Sequence, residues 1–157
     1  MKSYNCISQK KIKSGHYSIS AIQQEHIESI RIWRNKQIDI LRQKKLINSI
    51  EQKNYFENNV WPEMKFKNPS KILVSYYKNI KIIGYGGLVN ITWKKQEAEL
   101  SFLLSPDRCI DKKVYENDFS IFIKLIKELA FEILNFKSLI TETYDIKDIS
   151  NFNEKGM

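Results

Sequence analysis

The chain has 157 residues, 42% of them apolar and 28% charged, which describes one globular domain large enough to bury a core without disulfide or metal staples. No apolar run approaches the roughly 18–20 residues of a membrane-spanning helix, and the lysine-rich start MKSYNCISQKKIKSG has no apolar stretch to serve as a signal-peptide core. The net charge of +8 favours anionic partners without choosing among them.

The basic residues are spread along the chain and the aromatics sit mostly within apolar patterns, which weighs against a dedicated nucleic-acid stripe. Cys6 and Cys109 match no ligand or redox spacing and read as two free thiols in a reducing cytoplasm. His16 and His26 belong to no metal-ligand spacing and to no nucleophile–base motif. No metal is expected, and metal- and serine-hydrolase chemistry are set aside.

Residues 1–15 mix lysines with small polar residues without a sustained period, and are expected to form a flexible leader ahead of a single domain over 16–157. Tyr17, Ile19 and Ala21 alternate with Ser18, Ser20 and Ile22, a short first strand. From Gln24 the spacing Ile27, Ile30, Trp33 predicts a helix that carries Arg31 and Arg34 and runs out at Asn35. Trp33 and Arg34 read either as a pair facing a ligand or as a core anchor and its solvated neighbour. Residues 36–48 are polar and basic with a weaker helical period. Ser49 followed by Gln52 is a capping-box pattern, predicting a helix to about Asn59 with Tyr55, Phe56 and Val60 on its buried side and Pro62 ending it.

Residues 71–77 and 81–89 read as strands joined by a hairpin at Lys78-Asn79-Ile80, where Asn79 accepts the left-handed conformation. Gly84, Gly86 and Gly87 suit a bulge or a close backbone approach; their string lies inside a strand and does not open a helix, so it is no nucleotide fingerprint. Ala98, Leu100, Phe102 and Leu104 alternate with Glu97, Glu99, Ser101 and Leu103, a third strand. A charged turn region over 105–116 leads to Phe119, Phe122, Ile123, Ile126, Leu129, Ala130, Ile133 and Leu134, one apolar helical face. A strand end feeding a helix start gathers backbone amides that attract phosphate, and this junction is the candidate working site. A last strand over 138–144 and a short helix from about Lys147, ended by Gly156, complete the order.

Strand, two helices, three antiparallel strands, helix, strand, helix resembles the GNAT superfamily of acetyl-CoA-dependent N-acetyltransferases over residues 17–157. The resemblance is carried by WRN at 33–35, IIGYGGL at 82–88, AELSFLLSP at 98–106 and NEKGM at 153–157. It looks most like the branch that includes the RimJ and RimL protein acetylases and the amino-sugar acetyltransferases. The fold this implies is α/β (α+β), a mixed, mostly antiparallel twisted sheet flanked by helices. Relatives continue with two more strands, so the fold is expected to be C-terminally shortened, leaving the strand at 138–144 as an exposed edge through which a homodimer could pair.

The implied activity is direct acetyl transfer from acetyl-CoA, as acyl-donor substrate, to a primary amine. The acceptor would be a small-molecule amine such as a nucleotide-linked amino sugar, or a protein N-terminus, in the cytoplasm and with no membrane partner. The alternatives are a catalytically silent GNAT-like remnant or binding module and, third, a basic nucleic-acid-binding domain. The resemblance places the pantetheine arm on the backbone of Phe102, Leu103 and Leu104, the diphosphate at Val114, Tyr115, Asn117 and Phe119, and the acceptor near Trp33, Arg34 and Asn35. The family loop Q/R-x-x-G-x-G/A is here SPDRCIDKKVYEND, which has no glycine. Arg108, Lys112 and Lys113 would then supply charge in place of converging amides, with Asp118 opposing them. Glu99 is the candidate general base, or else a solvent-facing or paired carboxylate. Phe152 falls where many relatives have the tyrosine that protonates the leaving thiolate, so Tyr144 is the nearest other hydroxyl, or else a strand-end packing residue.

Overall fold

In the computed structural model, which describes residues 1–37 and 45–141, one six-stranded sheet carries the other elements, its strands side by side in chain order. β1 (Ile12–Ser14), β2 (Tyr17–Ala21), β3 (Ile72–Lys78), β4 (Lys81–Thr92) and β5 (Glu97–Leu104) are antiparallel neighbours, and β6 (Ser138–Thr141) returns parallel to β5 after a helical crossover. The helices are α1 (Ile27–Lys36), α2 (Ser49–Tyr55), α3 (Pro106–Cys109) and α4 (Lys112–Lys127). This is the mixed, mostly antiparallel sheet with flanking helices expected from the sequence. No helix of the described residues is long and apolar enough to cross a membrane. Residues 38–44 and 142–157 lie outside the description, and with them Tyr144, Phe152 and the expected final helix.

The alternation seen in the sequence sorts the sheet into two faces. Ladder partners share a face, so Val74 and Tyr76 of β3, Gly84 and Gly86 of β4, and Phe102 and Leu104 of β5 point the same way. α4 covers them: the Phe102 ring lies 4.9 Å from Phe119 and 4.8 Å from Phe122, and Phe122 lies 5.0 Å from Tyr76. Phe119 and Phe122, both buried, contribute roughly 1.5–3 kcal/mol each, and Phe102 is half-buried beneath them. The opposite face, which carries Ser75, Tyr85, Glu99 and Leu103, takes α1 and the 3-10 turn Gln24–His26 before it. There His26 Nδ1 hydrogen-bonds Ser75 Oγ over 3.0 Å and Arg34 Nη1 donates to the Tyr85 hydroxyl at 3.3 Å.

The hairpin between β3 and β4 turns on Asn79 at φ 56, as expected. The bulge falls at Ile83, where the register with β3 shifts between Tyr76 and Tyr77. Gly86 and Gly87 serve close approach instead. A Cβ on Gly86 would stand 2.0 Å from the Ser101 carbonyl oxygen, and one on Gly87, at φ +136, 2.0 Å from the Ile72 carbonyl oxygen. Gly87→Ala is therefore expected to lower the unfolding free energy by about 3 kcal/mol, since both the backbone conformation and the space oppose a side chain. A urea titration giving less than about 1 kcal/mol would mean β3 and β4 separate easily there.

The first fifteen residues depart from the expectation of a flexible leader. Residues 12–14 form β1, and Tyr4 and Ile12 are buried. The Tyr4 hydroxyl accepts from the Leu73 amide at 2.9 Å, and the Asn5 amide donates to the Met64 carbonyl at 2.9 Å. Isolated apolar residues among lysines, and a three-residue strand, are too short to show a period, so only packing reveals them.

The start of α2 also shifts. The capping box is Asn48 with Glu51, one residue before the predicted pair: Asn48 Oδ1 accepts from the Glu51 amide at 2.8 Å and Glu51 Oε1 from the Asn48 amide at 3.1 Å. Gln52 is instead buried and donates to the Ile27 carbonyl at 2.7 Å, tying α2 to α1. The helix passes into a π-helical turn at Phe56–Val60, and Pro62 opens a further 3-10 turn, Pro62–Lys65. Phe56 and Val60 are buried as predicted, whereas Tyr55 is 44% exposed.

Candidate functional site

Among the described residues, β5 pairs with β6 over its first half only. Glu97, Ala98, Glu99 and Leu100 pair with the four residues of β6, so the ladder reaches two residues beyond position 98, where parting was expected. From Ser101 to Leu104 the strand is laddered, among the described residues, to β4 alone. A strand edge of this kind offers amides and carbonyls to an extended ligand. Phe102 turns its ring into the α4 layer while Leu103 turns toward α1, so any such ligand meets their backbone.

Glu99 sits at the end of the shared ladder, half-buried on the α1 face. Its Oε2 accepts from Asn90 Nδ2 at 2.7 Å. Asn90 itself takes a left-handed φ of 49 at the register shift between Val89 and Thr92, which aims its side chain back at β5. The only sequence signal for Asn90 was an asparagine late in a strand, a residue type that tolerates such a conformation.

The three WRN residues part company. Trp33 packs against the core, and Arg34 reaches the Tyr85 hydroxyl. Tyr55 is near both: burial and Tyr85 raise its hydroxyl pKa while Arg34 lowers it. Asn35, expected at the acceptor, holds the chain instead, donating from Nδ2 to the Ile47 carbonyl at 2.8 Å and accepting the Ile47 amide at 2.9 Å. Those bonds pin residues 47–48 and so the start of α2. Gln37, which the sequence did not single out, donates from Nε2 to the Leu104 carbonyl at 2.9 Å, at the end of the open strand edge.

The turn between β5 and α4 differs most from expectation. α4 starts at Lys112 with Asp111 as its N-cap; Asp111 Oδ1 accepts from the Lys113 amide at 2.8 Å and the Val114 amide at 3.4 Å. The Tyr115 amide donates to the Asp111 carbonyl at 3.0 Å, and Asn117 and Phe119 stand a turn or more inside the helix. Of the four positions expected to hold a diphosphate, Val114 alone has a first-turn amide outside the helix's own backbone ladder, and the Asp111 carboxylate already accepts from it. An aspartate is among the strongest N-caps, and it starts the helix earlier than the apolar period alone suggests.

Arg108 does not face outward as a spare cation. Its Nη2 donates to Asp118 Oδ1 at 3.1 Å and its Nε to Oδ2, while Asp118 is wholly buried. Asp118 also accepts from the Tyr17 hydroxyl at 3.1 Å, Asn117 Nδ2 donates to Tyr17 at 3.2 Å, and the Tyr76 hydroxyl donates to the Asp118 carbonyl at 2.7 Å. Arg108 and Asn117 thus stabilise the turn, contrary to their expected role with cofactor. Lys112 lies 3.8 Å from Glu116, and Lys113 is exposed. Tyr115 and Phe119 stack at 6.1 Å. An extended, amide-bearing arm such as that of coenzyme A would match the β5 edge, whereas the start of α4 presents a carboxylate to any diphosphate. The fit is good for one part of the molecule and poor for the other.

Cys109 lies in the same turn, its Sγ donating to the Ser105 carbonyl at 3.5 Å. Burial, with Asp107 and Asp118 nearby, pushes its thiol up to about 11. Iodoacetamide at pH 8 is expected to alkylate Cys109 on the order of 100-fold more slowly than an ordinary exposed thiol. Equal rates in a mass-spectrometric time course would show that the turn opens readily. Among the described residues no group of three or more histidine, cysteine, aspartate or glutamate side chains could hold a metal ion.

Comparison with curated proteins gives no match. Among solved structures the chain is similar to the spermidine/spermine N-acetyltransferase SpeG from Vibrio cholerae in complex with manganese ions, at a TM-score of 0.68 and 13% identity, covering 90% of this chain and 78% of that one. The spermidine N-acetyltransferase from Vibrio cholerae in complex with CoA and spermine gives a TM-score of 0.63 at 14% identity, covering 82% and 71%. A chimera of the Vibrio cholerae enzyme and hSSAT gives 0.64 at 15%, covering 82% and 70%. At these identities the likeness is one of fold. The family described as acetyltransferase (GNAT) domain matches residues 19–154. Strand order and family match agree, and the chain belongs to the GNAT acetyltransferase family.

Proposed function

We propose that this protein transfers an acetyl group from acetyl-CoA to a primary amine by direct attack within a ternary complex. The observation that carries this is the run of β5 from Ser101 to Leu104, laddered among the described residues to β4 alone and beginning two residues beyond Glu99. A thioester arm laid along that edge brings its carbonyl close to a carboxylate already oriented by Asn90. Glu99 removes the proton from the acceptor ammonium, directly or through one water, because only the free amine is a nucleophile. The nitrogen then bonds to the thioester carbon, the carbon–sulfur bond breaks, and the thiolate leaves with a proton.

Arg34 beside Tyr85, on the same face as Glu99, supports an acceptor whose amine accompanies an anionic group. A nucleotide-linked amino sugar fits that description. The similar solved structures above are polyamine acetyltransferases, so the RimJ/RimL or amino-sugar branch rests on the sequence resemblance alone. A polyamine is the second reading, favoured by that likeness of fold. β6 ends the described sheet, which supports the expected pairing of two copies along it. The test is release of free thiol from acetyl-CoA with three acceptors: a nucleotide-linked amino sugar, spermidine and a peptide with a free N-terminus. Turnover confined to the first supports this reading, turnover of spermidine alone supports the second, and no thiol release with any of them removes the transferase assignment.

A further inference from the structure

The turn that joins β5 to α4 is already satisfied by the chain's own side chains. The Asp111 carboxylate holds the Lys113 and Val114 amides. Arg108 is committed to the buried Asp118. Over residues 105–118 four carboxylates, Asp107, Asp111, Glu116 and Asp118, stand against three cations, Arg108, Lys112 and Lys113. A diphosphate brought here would have to displace one anion and lie among others. At the strand edge, by contrast, the groups that the described residues place on the Leu104 carbonyl are uncharged, Gln37 Nε2 at 2.9 Å and Cys109 Sγ at 3.7 Å, and an arm carrying its own amides can replace such a bond like for like.

Resting on the acyl-transfer reading, we infer that Asp111 sets which acyl donors the cleft accepts. Its carboxylate occupies the amides a diphosphate would use, so the protein grips a donor by the pantetheine arm and discriminates little between coenzyme A thioesters and shorter pantetheine thioesters. Asp111 is a specificity-determining residue on this account, and the nucleotide half of coenzyme A adds little to binding.

Isothermal titration of the full chain with coenzyme A and with pantetheine tests this, using the native protein, Asp111→Asn and Asp111→Gly. Asparagine keeps the helix cap while removing its charge, and glycine frees the amides at a small cost in helix stability. The native protein is expected to bind the two ligands within about threefold of each other. Removing one unit charge about 4 Å from an anion at a water-exposed position is worth about fivefold, so Asp111→Asn should tighten coenzyme A by that much, Asp111→Gly by more, and neither should change pantetheine. A coenzyme A to pantetheine ratio that stays the same across all three proteins overturns the inference and leaves the acyl-transfer reading standing. Failure of both ligands to bind any of the three overturns the reading and the inference together.

Discussion

Replacing Asp118 with alanine is expected to lower the unfolding free energy by about 3–5 kcal/mol, because it strands the partners of a buried charge. Asp118 is wholly buried and gathers groups from three elements: Arg108 of α3, Tyr17 of β2 and, through its carbonyl, Tyr76 of β3. Without the carboxylate, the Arg108 guanidinium, whose side chain is only 22% exposed, keeps its charge. The Asp118 hydrogen bond is what raises the Arg108 pKa above its ordinary value, with burial working against it. For a chain of this size the loss corresponds to a fall in Tm of roughly 10 °C. Urea titrations of Asp118→Ala, Arg108→Ala and the double variant give the coupling energy. A double variant no worse than either single one supports the pair as drawn, whereas additive losses would mean that the two side chains act separately.

Glu99→Gln is expected to reduce kcat/KM by 10²–10⁴-fold, about the contribution of a positioned general base, with little effect on stability. Glutamine still offers an oxygen to Asn90 Nδ2, so the side chain keeps its place while losing the ability to take a proton. The pH profile separates this role from a structural one. Activity of the variant should rise steadily with pH until the acceptor amine deprotonates unaided, whereas the native enzyme levels off earlier. Asn90→Ala should lie between the two, since Asn90 acts by positioning Glu99. A Glu99→Gln variant within about threefold of native kcat/KM, or one altered in KM alone, would assign the proton transfer to another group.

How much of this was legible beforehand can be judged element by element. The alternation in 98–104 and the three-and-four spacing from Phe119 record burial on one side of an element: Ala98, Leu100, Leu104, Phe119, Phe122, Ile123 and Ile126 are buried as that pattern expects, whereas Leu103 on the other strand face is buried as well and Ile133 and Leu134, beyond the end of α4, are half-buried. Asn79 announced its turn through a local backbone preference. Asp111 is a strong capping residue by type, but the apolar period of α4 begins only at Phe119, so the sequence does not mark residue 111 as the helix start. Gln37, Asn90 and Tyr85 carry no local signal, since polar residues and a tyrosine in such positions are ordinary.

Sequence alone determined the layers: which residues face the core, where strands give way to helices, and that the order is that of a GNAT domain. These follow from periodicities set by backbone geometry, which operate over a few residues and can be read in a line. Only the tertiary structure decided the state of the charges and amides. Arg108 meets a carboxylate ten positions on and, through it, a tyrosine of β2, about a hundred residues away in the chain, while Asn35 is taken up by the backbone of residue 47. Whether a polar group is available to a ligand depends on which distant segment reaches it first, and that is settled by packing in three dimensions.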